Sequence, residues 1–268
     1  MSVAEIGKWA ATIKISWNKL LSYKLNLLLL VIGPSVVFFF VKYSLWTAIF
    51  QLEGIEQLQG YNLPGMLKYQ GWTLIVALLG QGYNSMNLAE DIRLGRISAF
   101  LVYPFGFWSF QTASFIAFEC LQLFTAGITL GALFTLQIVT DLSLVALVAG
   151  LLFSILVSFF WYQTSYLIGL MAFWLEETWV LRVMFLTISQ FFSGAVMPLE
   201  VYPEYLQKLL MWTPFPYLTY APVKIFMGEY RGDIWQGAGI LSFWLGVAVL
   251  LSLAVWRRGL RLYTAAGM

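Results

Sequence analysis

Few side chains in this sequence can do chemistry, and their types narrow what that chemistry could be. There is no histidine, and the only thiol is Cys120. Without histidine the usual acid/base group near neutral pH and the commonest metal ligand are both missing, and one cysteine cannot close an intrachain disulfide. No grouping of Ser, Asp or Glu has the arrangement of a hydrolytic triad or a metal site. Glu176 and Glu177 are adjacent, so on a helix they diverge by about 100° and cannot flank one reacting bond. The dipeptide Gly7-Lys8 runs straight into Trp9 with no glycine loop before it, so no phosphate cradle is expected. The reading is therefore not an enzyme: no catalytic residue, no metal and no cofactor is assigned, and a nucleotide that drives anything here is bound by another polypeptide.

Two settings of charge stand out. Glu119 lies deep in the apolar stretch 105–135, where a charge costs about 2.5–3.5 kcal/mol on insertion scales. It is expected to face the interior of a helix bundle or to be protonated. Two readings stand beside each other. Glu119 lines a substrate path or relays a proton, with Gln163 and Gln190 as path residues. Alternatively, it is a neutral carboxyl bonded to Gln163, Gln190 or Asn84, an interaction averaging about 0.6 kcal/mol. The second setting is Glu90-Asp91-Ile92-Arg93-Leu94-Gly95-Arg96-Ile97, with four charges in seven residues. It reads as a short polar knob over about 89–98: the acids sit near the start of a helical turn, where they suit the dipole, and Gly95 ends it. A solvated loop is the plainer account of the same residues. Lys42 is expected to snorkel from the end of its span.

The elements that must carry these residues follow from composition. Of the 268 residues 60% are hydrophobic, 18% aromatic and only 10% charged, with a mean hydropathy of +0.79. Soluble domains have about 25% charged residues, so water is not the main solvent. A net charge of +2 is too small and too dispersed for nucleic-acid binding. The long apolar runs do not alternate as membrane strands do, so helices are the reading. At about 20 residues per crossing, six spans are expected at about 25–50, 66–89, 105–135, 142–172, 179–198 and 233–256. Ten of the fifteen Lys and Arg then fall on the side of the termini (Lys8, Lys14, Lys19, Lys24, Arg93, Arg96, Arg182, Arg257, Arg258 and Arg261). That bias puts both termini in the cytoplasm.

Residues 1–24 carry a helical pattern, with Ile6, Trp9, Ala10, Ile13, Trp17, Leu20 and Leu21 on one arc and Lys8, Lys14 and Lys19 among the polar positions. This predicts an amphipathic helix in the cytoplasmic interface, tryptophans in the headgroup layer and lysines toward anionic lipid; it serves as an anchor alone or also touches a cytoplasmic partner. The positive stretch before an apolar run is too long for a secretory signal, and it is expected to stay attached. Outside, 199–222 is broken by Pro203, Pro214, Pro216 and Pro222 among aromatic residues; it reads as an interfacial belt or as backbone that dips into the membrane under cover of protein. Pro34 is expected to kink the first span. Ser109, Ala113 and Ala117, with Gly127 and Gly131, make small faces for packing within the bundle or across a dimer seam.

The knob and its sequel to Phe100-Leu101-Val102-Tyr103-Pro104 resemble the signature of ABC-2 type transporter permease subunits: an acidic residue, Ile-Arg-x-Gly, then Leu-x-x-Pro. Tyr103 stands where relatives often carry Arg. Ala172 to Thr178, Phe192 to Leu199, Trp212 to Tyr217 and Trp256 to Leu260 extend the likeness over nearly the whole chain; it is closest to a subgroup of bacterial permeases often encoded beside a second permease and an ATPase. The resemblance implies an all-α integral membrane fold, a six-helix bundle of the type V exporter kind over 25–268, with 1–24 as interface helix and 199–222 as an extracellular re-entrant segment. It implies a bacterial inner-membrane exporter that pairs with a second permease, identical or distinct, and docks two ATPase subunits that hold ATP and Mg. Glu90, Asp91, Ile92, Arg93, Gly95 and Arg96 would then form the coupling helix, with Trp9, Lys14, Trp17 and Lys19 on the interface helix beside it. The alternative reading is a proton-coupled secondary transporter using Glu119. A membrane-embedded enzyme comes third.

Overall fold

The computed structural model describes residues 3–22, 24–54, 56–81, 86–102 and 105–263. In chain order the helices are α1 (Val3–Ser22), α2 (Lys24–Leu52), α3 (Leu63–Gln81), α4 (Met86–Arg93), α5 (Ile97–Val102), α6 (Phe107–Thr135), α7 (Leu144–Leu170), α8 (Trp179–Phe192), α9 (Glu204–Leu210), α10 (Phe215–Leu218), α11 (Tyr220–Met227) and α12 (Ile234–Leu262). Short 3-10 turns at Met171–Phe173 and Leu199–Val201 follow α7 and precede α9. Among the described residues there is no strand, only the isolated bridge between Leu58 and Tyr61. The expected Asn84, Tyr103 and Pro104 lie outside the described residues.

Among the described residues, three helices are long and apolar enough to cross a bilayer: α6, α7 with its 3-10 extension, and α12. Their apolar surface is not hidden by protein. The most apolar stretch of α12 is only 17% buried, and Phe243, Leu250, Leu251 and Leu253 point outward. Such a face is stable only when its solvent is hydrocarbon.

α7 is the hub, packed by α12, α3, α11 and α8. The short helix α11 is inserted between α3 and α7 with Ala221 to Phe226 all buried. Phe226 stacks on Trp72 of α3 at 4.7 Å and fills the space left by Gly150 of α7, where a Cβ would lie 2.5 Å from its ring. At the opposite end of α7, Leu88, Ile92, Ile97, Phe107, Tyr166 and Leu170 form a separate buried cluster, and Phe107 stacks on Trp256 at 5.3 Å.

Five expectations need correcting. The fifth span was expected over 179–198, yet α8 has 14 residues, about 21 Å, and stops at Phe192. Gly194 takes φ +84°, a left-handed conformation that ends the helix. The freed carbonyls are met by side chains: Tyr69 donates to Gly194 O at 2.7 Å, Gln70 to Val196 O at 3.3 Å, and Lys42 to Ala195 O and Val196 O at 3.1 and 3.2 Å. Lys42 therefore does not snorkel; it is buried and satisfies the C-terminal end of α8, where a cation suits the dipole. The sixth helix runs on to Leu262, because Arg257, Arg258 and Arg261 end the apolar run without ending the helix. The knob is not one helix over 89–98 but α4, a turn at 94–96 and α5. Lastly, the half-buried face of α1 is Lys8, Trp9, Thr12, Ile13, Ser16, Trp17 and Leu20, a different register from the expected arc. It lies against α6, with Ser16 and Ser114 hydroxyls 3.0 Å apart and Trp9 edge-on to Phe105; polar-to-polar contact shifts the seam.

Candidate functional site

The knob is built on buried roots. Leu88 and Ile92 stand one turn apart on α4 and are buried, as is Ile97 at the start of α5. They pack with Tyr166 and Leu170 of α7 and with Val255 and Trp256 of α12. Leu88 fits where Gly169 has no side chain; a Cβ there would lie 2.6 Å from Leu88 Cδ2. Phe100 meets Phe107 and Phe110, each at 5.0 Å, and the hydroxyls of Ser98 and Tyr263 are 3.0 Å apart. α6, α7 and α12 thus all grip the knob.

Its charges are committed to holding its shape. Arg93 Nη1 bonds Glu177 Oε1 at 2.9 Å and Glu176 O at 2.8 Å, tying the knob to the loop before α8. Arg96 reaches Glu90 and Asp91, each at 3.4 Å. Gly95, at φ +70°, donates its N–H to Ile92 O and ends α4, as its position predicted. The acids do not start the helix: Glu90 and Asp91 occupy its second half. Partial burial raises the Asp91 carboxyl above its ordinary range, against the pull of Arg96 and, more weakly, Lys19 of α1. These pairs are partly exposed, so each contributes little to stability; what they fix is orientation. Outward the knob offers Leu94, 53% exposed, beside the part-exposed, paired side chains of Arg93, Arg96 and Glu90. Of the interface-helix residues, Trp9 and Trp17 are half-buried and Lys14 and Lys19 exposed.

The expected path residues are not gathered. Glu119 lies beside Ser158 of α7, not the amides expected of it, and the Ser158 hydroxyl donates to Ile155 O at 2.8 Å. Gln163 donates to Ser252 of α12 at 2.7 Å and accepts from Trp108 at 3.5 Å. Gln190 lies near the C-terminal end of α8, its carbonyl accepting from Val196 N–H. None of the three lines the cavity described next. An amide at position 119 keeps the size and shape of the carboxyl and carries no charge into the apolar stretch, so Glu119→Gln is expected to shift thermal unfolding in detergent by no more than about a degree or two; a large drop would mean that the carboxyl has a further role.

The end remote from the knob holds a cavity of about 1130 Å³, lined among others by Tyr61, Glu200, Tyr220, Lys224, Tyr230 and Arg231. Lys224 of α11 organises one wall. Its ammonium is 3.0 Å from Glu229 and 3.3 Å from Glu200, and 4.6 Å above the ring of Tyr61. Tyr220 and Tyr61 both donate to Glu200 Oε1, at 2.9 and 3.3 Å. Four segments meet on this ion: the 56–62 loop, the 3-10 turn Leu199–Val201, α11 and the loop after it. Burial first, then neighbouring Glu200, pushes the Tyr61 hydroxyl up, so it stays a donor. Sequence reading missed this network and the Arg93–Glu177 pair alike, because their members lie far apart in the chain; the signal available was the density of Tyr and charge between 199 and 233.

Compared with known protein families, residues 12–267 match the ABC-2 family transporter proteins. The chain belongs to that family. None of the curated proteins matches it. As an ABC-2 protein it is a permease of an ABC transporter, a multi-pass membrane component of transport, and the ABC-2 match spans the knob, the whole helical bundle and the cavity at its far end.

Proposed function

We propose that this chain is the membrane permease subunit of an ATP-driven exporter in the bacterial inner membrane, with six spans and both termini cytoplasmic. The knob end faces the cytoplasm and enters a cleft of a separate ATPase subunit, which binds ATP and Mg. Two ATPases serve a pair of permeases, the second being another copy or a related chain. α1 works beside the knob as the interface helix, and 199–222 forms a re-entrant cap at the external end. Glu119, Gln163 and Gln190 remain the proposed path residues inside the bundle.

The observation that carries this reading is the construction of the knob. A solvated loop needs no buried root, whereas α4 and α5 are clamped by α6, α7 and α12, braced by Arg93 to the loop before α8, and left with an apolar tip at Leu94. Such a body can pass closure of a motor to several spans as one rigid tilt. Reversing Arg93 or Arg96 would disturb the knob itself, so the informative substitution is at the tip. Leu94→Asp is expected to reduce co-purification of the ATPase at least tenfold while thermal unfolding of the permease stays unchanged. Unchanged association would remove the coupling role. Transport in membrane vesicles that stops with a non-hydrolysable nucleotide and survives an uncoupler fits this reading; the opposite pattern would assign transport to a proton-coupled mechanism.

A further inference from the structure

Lys224 and its partners occupy only one wall of the far cavity, and the rest of the lining has a definite chemistry once internal commitments are subtracted. Glu200 already accepts from Tyr61, Tyr220 and Lys224. Glu229 accepts from Lys224, and Asp233 caps α12 by accepting from Trp235 N–H at 2.9 Å. Each carboxylate thus has a donor from within, Glu200 and Glu229 sharing the one Lys224, although Glu200 Oε2 has no partner among the described residues. The cations are not all consumed. Among the described residues Lys68 pairs with Asp141 alone, at 3.5 Å, whose side chain is 85% exposed, a weak pair by the usual measure. Arg231 makes no ion pair among the described residues and lines the same space.

The neutral groups lean the same way. Asn62 Oδ1 accepts from Gly65 N–H at 2.9 Å, which turns its amide NH₂ into the uncommitted part. Burial pushes the Tyr230 hydroxyl up to about 12, so it is a donor at any physiological pH. The lining balances Lys68, Lys224 and Arg231 against Glu200, Glu229 and Asp233, and the group left without an ion pair among the described residues is the Arg231 guanidinium, with N–H and O–H donors of Asn62 and Tyr230 in the same wall. That set selects an oxyanion, and the planar fork of Arg suits a phosphoryl group. The cavity is far larger than a phosphate ion, at the upper end of the volumes that hold whole organic ligands. Met211, Trp212 and Ile240 supply an apolar side for the remainder, and Trp212 is 78% exposed.

We propose that this cavity is a binding site for a phosphate-bearing amphiphile, its phosphoryl group held by Arg231 and Lys68 and its organic part lying on Met211 and Trp212. The site is independent of the ATPase-coupling reading: it requires only the far-end cavity, so loss of one leaves the other standing.

The test uses the full chain purified in a neutral maltoside detergent, with tryptophan fluorescence and thermal shift as readouts. The probes are a short-chain phosphatidic acid, glycerol 3-phosphate and inorganic phosphate. The short-chain lipid is expected to bind, and Arg231→Gln to weaken it roughly tenfold to a hundredfold, the worth of a charge-assisted hydrogen bond. Lys68→Gln should weaken it less, and Lys208→Gln, on exposed α9 outside the cavity, not at all. Binding of the lipid well below the concentrations needed for glycerol 3-phosphate assigns the source to the bilayer; equal binding of the two assigns it to a soluble phosphate ester. No saturable binding of any probe, or binding that Arg231→Gln leaves unchanged while that variant unfolds like the parent, overturns the proposal.

Discussion

Gly169→Ala is expected to detach the knob from the bundle without unfolding the bundle. A Cβ at 169 would sit 2.6, 3.0 and 3.2 Å from Leu88 Cδ2, Cγ and Cβ, and Leu88 is fully buried. It has no free volume to retreat into, since Ile92, Tyr166 and Leu170 surround the same cluster. Overpacking of this kind costs about 1–3 kcal/mol. α4 has only eight residues, too few to be stable apart from its packing, so the strain falls on α4 and its turn, not on the 27-residue α7. The expected readout is faster proteolysis or hydrogen exchange at 86–97, with ATPase association lost and the unfolding temperature of the remainder little changed. Leu88→Ala alone also harms, by opening a cavity, typically 2–5 kcal/mol. The double substitution should behave better than either single one, because the new methyl occupies part of the vacated space. If the two effects simply add, Gly169 and Leu88 are not in the register described.

The same contact marks where sequence reasoning stopped. That the chain is helical and lipid-solvated was legible in its apolar runs, and the knob was legible from four charges amid them. Gly169 gave no signal, because a glycine in a span reads as generic packing until its neighbour is known. The Arg93–Glu177 pair joins residues 84 apart, and nothing local links them. α8 was overread because Ser193 to Pro198 carries no charge to end the run, while the break depends on Gly194 and on carbonyls met by Lys42, Tyr69 and Gln70 from other helices. α1 was assigned the wrong seam for a related reason: hydrophobicity chose the face, but Ser16 meets a serine on α6, so polar positions turned inward. Periodicity finds a face only when the partner surface is wholly apolar.

Lys224→Ala is expected to be among the most damaging single substitutions at the far end. The Lys224 side chain is 9% exposed, and Glu200 and Glu229 are 31% and 47% exposed, so the lysine is the buried member on which both acids depend. Removing one partner of a buried pair costs about 3–5 kcal/mol; solvent reaches both carboxylates in part, which places the expectation near the lower figure. Glu200 is the sensitive acid. Among the described residues its Oε2 is already sealed without a partner, and losing the ammonium leaves its charge supported there only by the hydroxyls of Tyr61 and Tyr220. The consequence should be local first, because the ion ties the 56–62 loop, the Leu199–Val201 turn and the 228–233 loop to α11. Limited proteolysis is expected to cut 228–233 sooner, and thermal unfolding in detergent to begin several degrees lower. Lys224→Met combined with Glu200→Gln tests the cause, since it removes the stranded charge together with the lysine and keeps a long apolar stem over the Tyr61 ring. That double variant should recover most of the lost stability. If it is as unstable as Lys224→Ala, the damage comes from lost packing around α11 and the ion network is not what holds this end together.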